Sequence, residues 1–334
     1  MSIFNQKRLT NKTFKLDIER MRRGWYSDKY FHNVGKMLTT LAEMGYTYQG
    51  KHHNLPEGIS PEDIDVGNME VEMQWFTRRP GTTVAVGVDK ALAMLRHCTG
   101  IWEGDTFIDR SQKLEVWAVQ DGSLVHYNGN PTKVQPVIKV RGRYRDFSIL
   151  ETPMLGILGR ASRIATNVYH TLIAADGKPV LFFPARFDLH EVQAADGYAY
   201  DIAVRRFNKD YAKKLSSYVS TDAQGDWWGG AGGGTVAHAA LACFLGDTAE
   251  AMLAFSRTLP TDIPRIALVD FNNDSIADSL TTCKAMFLEY QRLIDAGKPE
   301  EAERYRLYGV RLDTSGSLRD VAVPPLGNPK LDLG

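Results

Sequence analysis

Cysteine is scarce. Cys98, Cys243 and Cys283 are the only three in 334 residues, far apart and odd in number. That excludes a disulfide framework and a zinc site at motif spacing, and fits the reduced thiols of a cytoplasmic protein. Net charge is also lacking, because 40 basic and 40 acidic side chains cancel. A balanced chain gives no support to bulk nucleic-acid or membrane-surface binding, although a local basic site for a phosphorylated small molecule stays open. No apolar run approaches the roughly 18 residues of a spanning helix, and the first 20 residues are polar, without a secretory core. The expected partners therefore include neither nucleic acid nor membrane. What is present is a globular composition, 43% hydrophobic and 24% charged, at a length that suggests about two domains with a sizeable core.

Glycine is concentrated in one place, Gly229 to Asp247, GGAGGGTVAHAALACFLGD. Backbone without Cβ lets phosphate oxygens or a ring approach the main chain. Thr235 is placed to cap the helix that follows, which would aim backbone N–H groups and the helix dipole at the same spot. His238 is then expected about one turn into that helix. A flexible surface loop is the plain alternative for such a segment.

Residues 1–148 read as a mixed α/β domain. Tyr30, Val34, Leu38 and Leu41 share a helix face, with Gly45 as its stop and Ser27 or Asp28 as its cap. Glu70–Phe76 alternates as a strand that puts Val71, Met73 and Trp75 on one face, and a helix is expected near Lys90–Cys98. Lys113–Val119 and Ser123–Tyr127 read as a hairpin around Asp121-Gly122, and Val137–Val140 as a further strand. The polar segment Gly50–Pro61 reads as a loop, in which His52 and His53 have no third metal ligand at motif spacing and are taken as solvated.

Residues 149–334 change period. Thr152-Pro153 predicts a helix start, Thr as N-cap and Pro at the first position, and Ile157, Ala161, Ile164, Val168 and Leu172 make one stripe up to Asp176-Gly177. Strand-like Val180–Phe183 leads to Arg186, Arg265–Asp270 ends in an acid, and Tyr308–Asp313 ends in charges. Between them stand the His238 helix closed by Gly246, a helix opened by Asp247 with Glu250, and one marked by Ile276, Leu280, Cys283 and Phe287. Short strands alternating with helices indicate a parallel sheet, and charged strand ends mark the edge where such sheets build sites.

In chain order, Ser27-Asp28-Lys29-Tyr30, Leu150-Glu-Thr-Pro153, Ala185-Arg186, Gly234-Thr-Val-Ala-His238, Val269-Asp270-Phe-Asn-Asn-Asp274 and Gly309-Val-Arg-Leu-Asp-Thr-Ser315 resemble the TDxY, E-x-P, substrate-loop arginine, GTxxH, VDTxxD and GVRLD(T/S) motifs of nicotinate phosphoribosyltransferase, a type II phosphoribosyltransferase. The resemblance implies an N-terminal α/β domain beside an irregular β/α barrel. It implies an enzyme of ligase type that makes nicotinate mononucleotide and pyrophosphate from nicotinate and phosphoribosyl pyrophosphate (PRPP) in NAD biosynthesis, with ATP as co-substrate, Mg²⁺ carried by PRPP and ATP, and a homodimer with shared active sites. Such chemistry asks the protein to position a flat anion and neutralise a departing polyanion.

Under the resemblance, Tyr30 stacks on the pyridine ring, with helix-face core packing as its alternative role. Arg186 meets the nicotinate carboxylate or a phosphate. Gly234 and Thr235 belong to the substrate loop, and His238 is the histidine that ATP phosphorylates. Asp313 hydrogen-bonds the ribose hydroxyls with Mg²⁺ nearby, Arg311 faces the pyrophosphate, Ser315 belongs to the same PRPP segment, and Asp270 orders the strand end or a bound cation. The chain departs from the pattern after Arg186, where Phe187 or Asp188 stands for a second arginine, and His190 either matches the motif histidine with one inserted residue or is a core residue. It also stops at Gly334, soon after Asp313, which reads as a barrel truncated at its C-terminal end. Alternative readings are transfer to nicotinamide or quinolinate, and a non-catalytic homologue with an assembly or regulatory role.

Overall fold

The structure, a computed structural model, describes residues 5, 7–51, 55, 57–325, 327 and 328. His52 and His53 lie outside the described residues. Two compact units divide the chain, Met1–Gly232 and Gly233–Gly334. The boundary expected at 148/149 falls inside the first unit.

The first unit opens with short helices α1 (Asn11–Phe14) and α2 (Ile18–Arg22) and the longer α3 (Lys29–Glu43). Strands β1 (Glu70–Phe76) and β2 (Gly81–Ala85) lead into α4 (Val88–Cys98). Then come β3 (Gly100–Glu103), β4 (Thr106–Asp109), β5 (Glu115–Ala118), β6 (Ser123–Tyr127) and β7 (Pro136–Arg143). Helix α5 (Glu151–Ala174), β8 (Leu181–Phe182), α6 (Gln193–Asp210), β9 (Tyr218–Val219) and α7 (Asp222–Gly225) complete it. The expected hairpin of residues 113–127 is not formed. β5 and β1 flank β7 antiparallel, and β6 pairs antiparallel with β2. Asp121 explains the turn differently: its buried carboxylate accepts the Val88 N–H at 2.8 Å and the Tyr198 hydroxyl at 3.2 Å, so Asp121-Gly122 anchors the start of α4 rather than closing a hairpin.

Helix α5 is bonded to this unit through its hydroxyls. Thr166 Oγ1 accepts from Val84 N at 3.0 Å, and Ser162 Oγ accepts from Val86 N at 3.0 Å. These are orphan donors at the end of β2 that α5 satisfies. Gly87, which precedes α4, has φ +96°, and a Cβ there would stand 2.9 Å from the Ile157 carbonyl oxygen. The expected α5 stripe is confirmed, with Ala161, Val168 and Leu172 buried and Ile157 and Ile164 packed on the core. The helix begins at Glu151, so Thr152 is not its cap. The Thr152 hydroxyl is engaged elsewhere, accepting from Asp28 N and donating to Asp28 Oδ2, both at 3.1 Å.

The second unit contains α8 (His238–Cys243), α9 (Thr248–Thr258), β10 (Ile266–Leu268), α10 (Ser275–Asp295), α11 (Pro299–Ala302) and β11 (Gly309–Arg311). β10 and β11 are parallel with α10 as the crossover, and β8 and β9 in the first unit are parallel with α6 between them. The expected β-α-β pattern is therefore present in both units. Asp247 caps α9 by accepting the Glu250 N–H at 2.9 Å. The core of this unit joins Met252, Phe255, Val269, Met286 and Leu293. Arg265, only 3% exposed, is tied into it through the carbonyls of Pro260, Leu259 and Arg304 at 2.6–2.9 Å. The stripe Ile276, Leu280, Cys283, Phe287 does mark a helix, but it faces outward, while α10 packs through Thr282, Met286 and Leu293.

Burial, and next the Asp89 charge, push the Asp121 carboxyl up to about 7, against an unfolded value near 3.9. Between about pH 4 and 7 the unfolded chain releases this proton while the folded chain keeps it, so the group's contribution to stability is lost as pH rises through that window. Asp121→Asn keeps an acceptor for Val88 N and removes the titration. Thermal melts should show the variant gaining on wild type as pH rises from 4.5 to 7.5; an unchanged difference at the two values refutes the assignment.

Candidate functional site

The candidate residues fall into the two compact units. In the second unit the site grows from the carboxyl ends of β10 and β11, the edge at which parallel strands present functional groups. Asp270 follows β10 with a fully buried side chain. Its Oδ2 accepts the Asp313 N–H at 2.8 Å and lies 3.3 Å from Thr314 Oγ1, and its Oδ1 lies 3.1 Å from His238 Nε2. Asp270 thus orders the strand end, one of its two expected roles, and holds the His238 ring by one nitrogen. Nδ1 is the other ring nitrogen, on an imidazole that is 42% exposed.

Asp313 is 44% exposed, and among the described residues its carboxylate has only Arg311, at 3.7 Å, as an ion-pair partner. Arg311 Nη2 donates to the Val236 carbonyl at 3.0 Å, which ties β11 to the segment before α8, and among the described residues its buried Nε has no hydrogen-bond partner. Ser315 is exposed and shares a 2.9 Å hydrogen bond with Ser317. Asp313 and Thr314 also line an open cavity with Ser275, Arg319 and Asp320. Thr314, Arg319 and Asp320 were not expected. Asp320 is held below the usual carboxylate range by the Ala322 and Ser275 N–H groups, and the Ser275 bond spans 45 positions that no motif links.

The glycine-rich segment is only partly what its composition suggests. Gly229 needs its φ of +82°, and a Cβ on Gly232 would stand 2.7 Å from Thr221 backbone atoms, where Gly232 bridges to Val219. Gly234 has open space around a built Cβ. Thr235 does not cap the helix, because Ala237 is the N-cap and His238 the first helical residue, not one turn in. The six-residue α8 is too short for the expected stack of donors over the loop.

In the first unit, Tyr30 is 60% exposed at the start of α3 and is not core. Its hydroxyl donates to Asp28 Oδ2 at 3.2 Å, and its ring lies 4.3 Å from that of Phe31. Asp28 is the N-cap residue by position but makes no side-chain cap bond; Tyr30 and Thr152 share its carboxylate. Arg186 follows β8 in an exposed 3-10 turn, with its guanidinium 5.3 Å from the Phe187 ring. His190 is 85% exposed, beside Glu191, so it is no core residue. Asp188 pairs with Arg160, which also holds buried Asp196 through bonds of 2.9 and 2.8 Å. That pairing holds the Asp188 carboxyl below its ordinary value. Arg160, reached from α5, is a cation at this strand end that the linear motif does not show.

Residues 59–162 match a family model described as quinolinate phosphoribosyl transferase, N-terminal domain. Nicotinate-nucleotide pyrophosphorylase from Pyrococcus furiosus superposes with a TM-score of 0.57 at 20% identity, over 89% of this chain and 72% of that one. Human nicotinic acid phosphoribosyltransferase gives 0.42 at 19% identity, over 65% of this chain and 40% of the human one. The Francisella tularensis nicotinate-nucleotide pyrophosphorylase gives 0.40 at 12% identity, over 74% of each chain. The N-terminal domain match and the archaeal superposition define the class: the chain has the fold of a type II phosphoribosyltransferase. Among the described residues, no helix is long and apolar enough to cross a membrane.

Asp270 and Asp313 should separate in their effects on folding. Removing the Asp270 carboxylate leaves the Asp313 N–H and the Thr314 hydroxyl without their acceptor. Asp270→Ala should therefore cost about 2 kcal/mol or more in urea unfolding. Asp313→Ala, at an exposed position, should stay within about 0.5 kcal/mol of wild type. Equal losses would show that Asp270 does not organise the strand end.

Proposed function

We propose that this protein transfers the phosphoribosyl group of PRPP to the ring nitrogen of nicotinate, giving nicotinate mononucleotide and pyrophosphate in NAD biosynthesis. The observation that carries the reading is the Asp270 bridge, which holds His238 and the Asp313 segment together at the ends of two parallel strands. In this reading Asp313 accepts hydrogen bonds from the ribose hydroxyls as positive charge develops at C1. Arg311 and the neighbouring backbone meet the departing pyrophosphate, with Ser315 in the same segment. Tyr30 stacks on the pyridine ring, Arg186 pairs with its carboxylate, and His190, Gly234 and Thr235 line the approach. The exposed Tyr30, Arg186 and His190 are open to bound substrate or to a second subunit, and a homodimer with shared sites is part of the proposal.

Among the described residues, no group of three or more His, Cys, Asp and Glu side chains is placed to hold a metal ion. Mg²⁺ therefore enters this reading on the phosphates of PRPP or ATP, as part of the substrate, which suits an ion that keeps most of its waters. ATP coupling is assigned to His238. The half-exposed imidazole has Asp270 on Nε2, which leaves Nδ1 as the atom that would attack the γ-phosphorus of ATP, releasing ADP. Asp270 would then stabilise the charge left on the ring.

A second reading, transfer to quinolinate, is favoured by the family model over residues 59–162. A dicarboxylate asks for a second cation beside Arg186, and Arg160 is occupied by Asp188 and Asp196, so nicotinate remains the preferred acceptor.

Initial rates with nicotinate, nicotinamide and quinolinate decide the acceptor, and product from quinolinate alone overturns the preference. Asp313→Ala should abolish nucleotide formation with the fold intact; unchanged turnover removes Asp313 from the site. Tyr30→Ala should raise the KM for nicotinate at least ~5-fold, from the loss of roughly 1 kcal/mol of ring contact, and Tyr30→Phe should be mild. Equal damage in both would exclude stacking.

With ATP, the protein should accumulate an acid-labile, base-stable phosphate. His238→Ala should lose it, along with ATP stimulation, and keep slow ATP-independent synthesis. A His238→Ala protein that still carries the phosphate moves the acceptor elsewhere.

A further inference from the structure

A cavity of about 550 Å³ opens in the first unit between the end of β1, β2 and one face of α5. Its floor is core surface: Trp75, Val137 and Leu158 are each less than 10% exposed. Its rim carries Arg78, Arg79 and Arg163, and no Asp or Glu lines it. Among the described residues, none of these arginines has a carboxylate within the 4.0 Å of an ion pair. Arg79 donates to a neutral group, Asn167 Oδ1, at 3.0 Å, and Arg78 lies 5.7 Å from the Phe76 ring. Thr83 also lines the cavity. It is 3% exposed, and its hydroxyl has no hydrogen-bond partner among the described residues.

Three arginines without a carboxylate partner thus stand around an apolar floor. Arg8, Arg23, Arg141, Arg143, Arg160, Arg205, Arg206, Arg257, Arg292 and Arg306 all meet carboxylates. A buried hydroxyl without a partner carries a desolvation penalty that a ligand can relieve. The volume lies in the range of small-molecule sites, which combine apolar walls with a few convergent polar groups. Guanidinium groups are fitted to bind carboxylates through paired N–H donors.

We propose that this cavity is a ligand site, separate from the phosphoribosyl-transfer residues, for a small organic carboxylate with an apolar body of one or two rings. The rings lie against Trp75, Val137 and Leu158, the carboxylate meets the arginine rim, and Thr83 supplies a hydroxyl to a polar ring substituent. No covalent step is involved, and the inference does not rest on the proposed transfer reaction.

Calorimetric titration of the full-length protein with 2-naphthoate and with uncharged 2-naphthamide is the test. Naphthoate should bind in a one-to-one ratio, and naphthamide at least tenfold more weakly. The Arg79→Gln/Arg163→Gln double variant, both sites exposed, should weaken naphthoate at least tenfold. Gly159 lies on the cavity-facing side of α5, and a Cβ there meets nothing within 4 Å. Gly159→Leu should therefore fill the mouth, abolish binding and leave the melting temperature no lower than wild type. Asp313→Ala should bind naphthoate as wild type does.

Loss of binding in Asp313→Ala with retention in Gly159→Leu would place the ligand at the transfer site and overturn the proposal. Equal affinity for the amide, or no binding at millimolar ligand, also overturns it. So does a cavity closed by a second copy of the chain, seen as a mass by light scattering that falls in the double arginine variant while naphthoate does not bind the wild type.

Discussion

A buried carboxylate organises the second unit. Asp270 is removed from water, so its charge must be met by hydrogen bonds from the protein. Those bonds come from the backbone after β11, from the Thr314 hydroxyl and from the imidazole that opens α8. The same requirement fixes three separate stretches of sequence at one point. β10 brings the acid, the crossover through α10 returns β11 in parallel, and α8 supplies the ring. The geometry of the candidate site is in this sense a consequence of solvating one anion without water.

The two units treat charge in the same way. In the first, Asp89 is buried and meets Arg8 and the Leu9 N–H, Asp121 meets Val88 N–H and Tyr198, and Asp196 meets Arg160. Each acid closes a long-range tie, between residues separated by 33 or more positions in chain order. Asp89 holds the N-terminal segment, Asp121 the start of α4 and Asp196 the link from α6 to α5. Buried acids act here as assembly points, and their sequence neighbours give little hint of it, because the partner lies far along the chain.

That distance explains what sequence could and could not show. Local periodicity delivered β1 to the residue, α3 with its Gly45 stop, the α5 stripe and the parallel β-α-β units, because alternation and helical spacing are local quantities. The 113–127 hairpin failed because turn chemistry at Asp121-Gly122 was read without its long-range bond to α4. Thr152 and Thr235 looked like caps by composition, yet one hydroxyl is drawn to Asp28 and the other stands outside a helix that begins later. The strand-end acids were legible from motif order. The His238–Asp270 contact, the orphan Arg311 Nε and the Arg160 pairing depend on three-dimensional closure and left no local trace. The α10 stripe shows the converse limit, since helical spacing identifies a helix but does not say which face another element will cover.

Burial also sorts the charged residues by what they can do. Asp270, Asp121 and Asp196 have exchanged water for fixed partners. Asp313, Arg186, His190 and Tyr30 retain water, with at most one polar partner each close at hand. Two of these groups are oriented by hydrogen-bonded neighbours within their own unit: Asp313 through its own N–H on Asp270, and Tyr30 through Asp28, which Thr152 also holds. Pre-organisation of this kind lowers the entropic cost of aligning a bound ligand. The proposed phosphoribosyl transfer would draw on it most, because its main demand is to position a ring and neutralise a departing polyanion.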